Sequence, residues 1–365
     1  MKIGIITFHR AENFGAVLQC YALQTFLCSL GYDVEIIDYQ AEAIRKTYKI
    51  VDFSIFKSHY NINTKVRAFL GRLKNILSRL EKKKAYAEFR NTYLLLSSPI
   101  SNVNNLPSDI DAFIVGSDQM WNIALTGGFD DVYFLNRKFK APKISYAVSS
   151  EKWSYDSFAN KSKEISTLID DFSYLSVREI DFKNELQKYT RKQIQVCVDP
   201  SFLLKKNDYN KLLTKPRCSS YVLTYHLVDS PVMSDIAEQM AHKSNKNLIE
   251  IHAGFNKYSN KKRHKSNVGP TELLGYIANA DVVFTTSFHG LVFSIIFEKQ
   301  FWVIDNGGNT RQKNLLAQLG LTSRIVKCIN DIHDKDLIDY SHVNPKLKSF
   351  VTDSVNYLKE SLICK

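Results

Sequence analysis

The chain has 365 residues, of which 44% are hydrophobic and 24% charged; it is too long for one ordinary core, too apolar to be disordered, and sized for two domains. No apolar run reaches bilayer length, and the opening "MKIGIITFHR" lacks a small-residue cleavage site, so it reads as a first strand and not as a signal peptide. The formal net charge of +12 suits phosphorylated substrates, an anionic membrane or nucleic acid, yet much of it sits in local runs such as "RLEKKK" at 79–84 and "KKRHK" at 261–265. With no zinc-finger, RRM or KH signature, no nucleic-acid partner is expected.

In chain order, "KIGIIT" (2–7) is a buried strand candidate, followed by the polar loop "FHRAENFG". The next stretch, "AVLQCYALQTFLCSLG", carries Val17, Leu18, Tyr21, Ala22, Phe26, Leu27 and Leu30 at helical spacing, with Gly31 as the stop. "DVEIIDY" (33–39) completes a βαβ unit, which implies a parallel sheet. Residues 65–93 read as a basic amphipathic helix with Phe69, Leu70, Leu73, Ile76, Leu77 and Leu80 on its apolar face. Such a helix either packs on its own protein or lies on an anionic membrane. Strands recur at 111–116, 143–149, 174–179 and 195–201.

A lysine-bearing stretch with Pro216, 202–218, joins this set to a second one that begins at "YVLTYHL" and alternates strand and helix to Gly320. The fold class is therefore α/β, with two Rossmann-like domains facing a cleft. The N-terminal domain spans 1–205 and the C-terminal domain 215–340, and a last helix over 345–365 packs back on the first. Ligands in such folds bind at the carboxyl ends of strands.

Four strand-end turns carry the candidate chemistry. In the first, Asn13 is placed to cap a helix and Gly15 to let the backbone approach a ligand, with His9 in the same loop. A plain capped turn explains the first two equally well. The G-x-G-x-x-G fingerprint is missing, so Asp38, though placed where a ribose partner would sit, is a weak nucleotide signal. In the second, "IVGSDQMWN", Ser117, Asp118 and Gln119 follow a buried strand. Asp118 suits a general base towards a hydroxyl, or a turn-forming Asx residue. In the third, Arg178 of "SVRE" suits a carboxylate or phosphate, or an ion pair with Glu179 or another acid. In the fourth, "TTSFHG" places Ser287, His289 and Gly290 where a strand gives way to a helix N-terminus that favours an anion. The "DNGGNTRQK" loop then delivers Arg311 and Lys313. Of the other histidines, His226 and His252 sit at strand ends, while His242 and His264 lie among lysines. No His, Cys or carboxylate spacing marks a metal site, and no G-x-S-x-G elbow supports a Ser-His-Asp hydrolase. Six scattered cysteines fit a reduced, cytoplasmic protein.

Taken in order, "ENFGAVLQCYALQTFLCSLGYDVEIIDY", "GSDQMWN", "ISYAVS", "LSVRE", "VDPSFLL", "NADVVFTTSFHGLVFSIIF" and "RQKNLLAQLGL" resemble the polysaccharide pyruvyl transferase family over most of residues 1–325. The resemblance implies a GT-B-like fold. It also implies transfer of a pyruvyl group from phosphoenolpyruvate, a co-substrate, to a hydroxyl pair of a polysaccharide or lipid-linked glycan precursor, giving a cyclic ketal. By the same resemblance Arg178, His289 and Arg311 or Lys313, with Ser287 and Gly290 beside them, hold the donor's phosphate and carboxylate. The same resemblance puts the acceptor side around Asn13, Gly15 and Asp118; His9, which is no family signature, and Ser117 and Gln119 are read from their loops as further acceptor contacts. Asp118 and His289 are the catalytic candidates, Asp118 as base and His289 as either the acid or a phosphate ligand. No cofactor or metal is expected. Peripheral contact with the inner face of the cell membrane follows from a lipid-linked acceptor. The rival readings are a GT-B glycosyltransferase with a nucleotide-sugar donor and a non-catalytic protein that uses its basic surface.

Overall fold

A computed structural model of the chain describes residues 1–48, 61, 76–150, 159–254, 263–305, 307–308, 310–332 and 337–363. Two six-stranded sheets form its frame, and every strand pairing within them is parallel. The first has the order β2-β1-β3-β4-β5-β6, from β1 (Lys2–Ile6), β2 (Asp33–Ile36), β3 (Ala112–Asp118), β4 (Lys143–Val148), β5 (Leu175–Val177) and β6 (Ile194–Val196). The second runs β12-β11-β10-β7-β8-β9, from β7 (Tyr221–His226), β8 (Asn247–His252), β9 (His264–Lys265), β10 (Val282–Thr285), β11 (Gln300–Ile304) and β12 (Ile325–Val326). This is the GT-B-like pair of Rossmann-like sheets expected from the alternation of strands and helices. The central strands β3, β4 and β7 are buried along nearly their whole length, as parallel strands covered on both faces must be.

Strand order locates the site before any side chain is considered. In the first sheet the winding direction reverses between β1 and β3, and in the second between β7 and β10. Crevices open at such switch points, beyond the carboxyl ends of the strands. The loops that leave β1, β3, β7 and β10 are residues 7–13, 119–122, 227–230 and 286–287; the candidates His9, Asn13, Gln119 and Ser287 lie on them, with Gly15, Ser117, Asp118, His289 and Gly290 at their ends, whereas Arg178 follows β5 and Arg311 and Lys313 follow β11.

The first helix, Phe14–Ser29, joins the two domains. It is buried on more than one face, including Gln19 and Gln24 as well as its apolar residues. Phe14 meets Phe293 with ring centroids 5.1 Å apart and Tyr225 at 5.8 Å, so this helix packs on its own sheet and on the second domain together. Leu30, placed on its apolar face by spacing, is instead 36% exposed. The stretch 202–218 is also more than a linker: Phe202, Leu203, Leu204, Tyr209 and Leu212 are buried in the shared core. The last helix, Tyr340–Leu362, starts on the second domain, where Tyr340 Oη donates to Lys299 O at 2.6 Å. It ends on the first, where Tyr357 Oη donates to Ser145 O at 2.8 Å and Ser354 Oγ accepts from Val198 N at 2.9 Å.

One helix departs from its predicted face. Of the 65–93 helix the described part is Ile76–Tyr93, which buries Lys82, Tyr86 and Phe89. Leu77 is 72% and Leu80 45% exposed, so the packed face lies elsewhere than the leucine pattern implies. Phe69, Leu70 and Leu73 lie outside the described residues.

Candidate active site between the two switch points

Ser287 ends the β10 turn as the cap of the helix Phe288–Ile296, its Oγ accepting from Gly290 N at 3.3 Å. This sets Phe288 and His289 in the first helical turn, at the positive end of the helix dipole. Gly290 is required by packing: a Cβ there would lie 2.3 Å from Thr285 Oγ1 and 2.9 Å from Tyr225 Cδ1. Gly15 is required by His289 itself, since a Cβ at position 15 would lie 1.9 Å from Nδ1 of that ring. The lack of a side chain at Gly15 thus serves the fit of the two domains.

A cavity of about 160 Å³ opens here. The first domain lines it with Asn13, Asp118 and Gln119, and the second with Ser287, His289 and Arg311. Asn13 caps the first helix, its Oδ1 accepting from Gly15 N at 2.9 Å and Ala16 N at 3.3 Å. Asp118 holds φ at +73° at the end of β3, a conformation uncommon for a residue with a side chain, and its Oδ1 accepts from Gln119 N at 2.9 Å. Its carboxylate therefore edges the cavity in a fixed direction. Arg311, in the first turn of the helix Thr310–Leu319, comes within 3.1 Å of the Gln119 amide when that amide presents its oxygen.

Behind this wall lies a buried charge network. Arg178 is 7% exposed. Its Nε donates to Glu179 Oε1 at 2.8 Å, and its Nη1 donates to Asp199 Oδ2 at 2.8 Å. The same Asp199 oxygen accepts from Ser117 Oγ at 3.3 Å and faces His289 Nε2 at 3.2 Å. Arg178 and His289 thus converge, as expected, but the anion between them is Asp199. Burial alone would raise the Asp199 carboxyl; the charges of His289 and Arg178, with hydrogen bonds from His289 and Ser201 N, hold it well below the usual carboxylate range. Glu179 goes the other way, pushed up by burial against the pull of Arg178. Arg178 Nη2 and Glu179 Oε2 are buried without a partner, on residues lining a second, smaller cavity of about 30 Å³. Phe288 and Arg311 line both cavities. The Arg178 guanidinium carbon lies 4.3 Å and that of Arg311 5.7 Å from the Phe288 ring centre, so one aromatic face gathers both cations.

Several expected contacts lie elsewhere. His9 does not reach the cavity: it is fully buried, with Nδ1 at 3.1 Å from Thr7 O and Nε2 at 2.9 Å from Asp38 Oδ1. Asp38 is consumed by His9 and Arg10, which leaves it no ribose to bind. Ser117 is fully buried behind the wall, bonded to Asp199. Lys313 pairs with Asp305 at 3.4 Å and is 46% exposed, away from both cavities. Two residues of the site, Asp199 and Phe288, carry no expectation from the sequence, whereas the ion pair of Arg178 with Glu179 is one of the two readings of that turn and is formed. Asp199 follows strand β6, as site residues do, and strand-end position was the signal available.

Among the described residues one group offers metal-ligand atoms, His226, Asp229 and His252, within 4.8 Å of one another. The rings of His226 and His252 are stacked, with centroids 4.1 Å apart and planes 9° apart, and His264 continues the stack at 4.4 Å. Ring-nitrogen lone pairs lie in the ring plane, so here they run side by side and do not converge on one ion. His264, expected among solvated lysines, is part of this stack, whereas His242 is exposed. Burial first, and then its two neighbours, push His226 down to about 3.

Comparison with known proteins adds a family. The family described as polysaccharide pyruvyl transferase matches residues 13–308, most of the chain. No curated protein matches it. Among solved structures, it resembles a UDP-GlcNAc 2-epimerase from Neisseria meningitidis (TM-score 0.46, 10% identity, covering 100% of this chain and 95% of that one). It also resembles one from Methanocaldococcus jannaschii (TM-score 0.45, 15% identity, 98% and 93%).

Proposed function

Because the chain belongs to the polysaccharide pyruvyl transferase family, and is thus a transferase that moves a pyruvyl group to a glycan acceptor, we propose that its donor is phosphoenolpyruvate, bound in the cavity between the two switch points. The observation that carries this reading is the composition of that cavity. His289, Arg311 and the N-terminus of the helix Phe288–Ile296 stand on one side, and the Asp118 carboxylate on the other. Phosphoenolpyruvate carries roughly three negative charges near neutral pH, which fits the cationic side. Sugar hydroxyls fit the carboxylate side, since a carboxylate accepts their hydrogens.

The chemistry assigns each proton. Protonation of the donor's methylene carbon makes its neighbouring carbon electrophilic, and one sugar oxygen bonds there. A second sugar oxygen displaces phosphate from the same carbon and closes the ketal. One hydroxyl proton replaces the one delivered to the methylene carbon; the other leaves with phosphate. His289 is proposed as the acid, Asp118 as the base that receives a hydroxyl proton, and Arg311 and the helix N-terminus as the phosphate ligands. Arg178 lines the neighbouring smaller cavity and not this one, so its part in donor binding is proposed to run through Asp199 and the Phe288 ring that it holds from behind the wall.

The acceptor is proposed to be a polysaccharide or its lipid-linked precursor, met at the inner face of the membrane. No helix among the described residues is long and apolar enough to cross one. Exposed Leu77 and Leu80, beside exposed Lys83 and Lys84 on the helix Ile76–Tyr93, support a peripheral contact. The donor assignment is tested by thermal shift. Stabilisation by phosphoenolpyruvate and none by UDP- or GDP-sugars is expected; the reverse pattern would overturn it.

A further inference from the structure

Asp199 lines the smaller cavity but has no exposed side-chain surface. Its Oδ2 serves Arg178 Nη1, Ser117 Oγ and His289 Nε2, and its Oδ1 accepts from Ser201 N at 3.0 Å. With its side chain fully buried and both oxygens already accepting from protein groups, it is engaged by its neighbours. Whatever it does, it does through its neighbours.

Its effect on His289 follows from hydrogen-bond chemistry. An ionised carboxylate only accepts, so Nε2 of His289 carries a hydrogen whether the ring is charged or neutral. The neutral ring's lone pair is then on Nδ1, and so is the proton that comes and goes. Asp199 follows β6 of the first sheet, while His289 follows β10 of the second. The bond between them therefore spans the two domains, and Gly15 of the first domain closes over the face of the ring.

We propose that Asp199 is a positioning residue of the transfer reaction: by holding Nε2 of His289 across the domain boundary, it makes Nδ1 the atom that exchanges protons with the reactants. The proposal rests on the donor reading given above. Nδ1–H gives its proton to the donor's methylene carbon, whose double-bond electrons form the new C–H bond. The first sugar oxygen bonds to the electron-poor carbon, and its proton passes by way of the Asp118 carboxylate to Nδ1. The ring is thereby restored for the next turnover.

The test needs no substrate for its first part. In protein labelled with ¹⁵N-histidine, with the His289 signals assigned by their loss in His289→Gln, the neutral ring is expected to carry its hydrogen on Nε2. In Asp199→Asn the amide can donate or accept, so a second population with the hydrogen on Nδ1 is expected. The second part is kinetic: kcat of Asp199→Asn should fall by a factor on the order of 10²–10⁴, with the donor KM changed far less. A wild-type ring with its hydrogen on Nδ1, a kcat loss below about tenfold, or a loss confined to KM would each overturn the proposal. If Asp199→Asn does not fold, the wild-type spectrum decides alone. Failure of the wild-type protein to use phosphoenolpyruvate would sink the donor reading and leave the tautomer result standing, so the two failures are told apart.

Discussion

Gly15 and His289 belong to different domains and occupy one shared space: a single carbon added at position 15 would stand 1.9 Å from the ring's Nδ1. Gly15→Ala must therefore push the ring or part the domains. Overpacking of this kind costs roughly 1–3 kcal/mol, so a lower melting temperature is expected together with a large loss of turnover. Unchanged melting and turnover would mean that the two residues do not meet in the working enzyme.

Arg178 and Arg311 should separate on substitution. Arg178→Ala would strand the buried carboxylates of Glu179 and Asp199, and breaking a buried ion pair costs about 3–5 kcal/mol. Its first effect is expected on stability, read by chemical denaturation. Arg311→Ala lies at the cavity wall; it should leave the denaturation midpoint nearly unchanged and weaken phosphoenolpyruvate binding, read by calorimetry. Equal destabilisation by both changes would contradict their assigned places.

His9→Gln tests whether the buried pair with Asp38 is structural. The change removes an interaction with both partners buried, so stability should fall by roughly 1–3 kcal/mol while the acceptor KM stays the same. A raised acceptor KM in a fully stable protein would return His9 to the acceptor site.

The histidine stack makes stability depend on pH in a defined window. His226 is pushed down to about 3 by burial and by its neighbours, whereas the unfolded chain protonates near 6.5. Between those values the unfolded state binds the extra proton, so stability rises with pH, and it falls as the solution is acidified from about 6.5 towards 3. The loss is on the order of a few kcal/mol. His226→Gln should flatten the curve of melting temperature against pH between about 6 and 4; an equally steep curve would assign the acid sensitivity to other groups.

Much of this site could be read from local pattern. The S-F-H-G turn declares itself because a buried strand runs into a capped helix within a few residues, and Arg178 because it ends a short apolar strand. The two-domain fold follows from the same alternation of strands and helices. What local pattern does not carry is the partner of a charge. Asp199 lies 21 residues from Arg178, 82 from Ser117 and 90 from His289, and "VDPS" by itself reads only as the end of the 195–201 strand. His9 reads as an acceptor contact in a polar loop because nothing local shows that Asp38, 29 residues on, pairs with it. Leu77 and Leu80 stand, by sequence, between packing on the protein and lying on a membrane because spacing fixes which residues share a helix face, while the surrounding fold decides which face is covered.

The central claim is most directly tested by incubating a candidate glycan with phosphoenolpyruvate and enzyme, then following both products: the glycan by mass spectrometry and inorganic phosphate by assay. The account predicts a glycan bearing one pyruvyl ketal for each phosphate released, with both products lost in His289→Ala although that variant folds normally. Phosphate release without pyruvylated glycan, or full activity in His289→Ala, would contradict it.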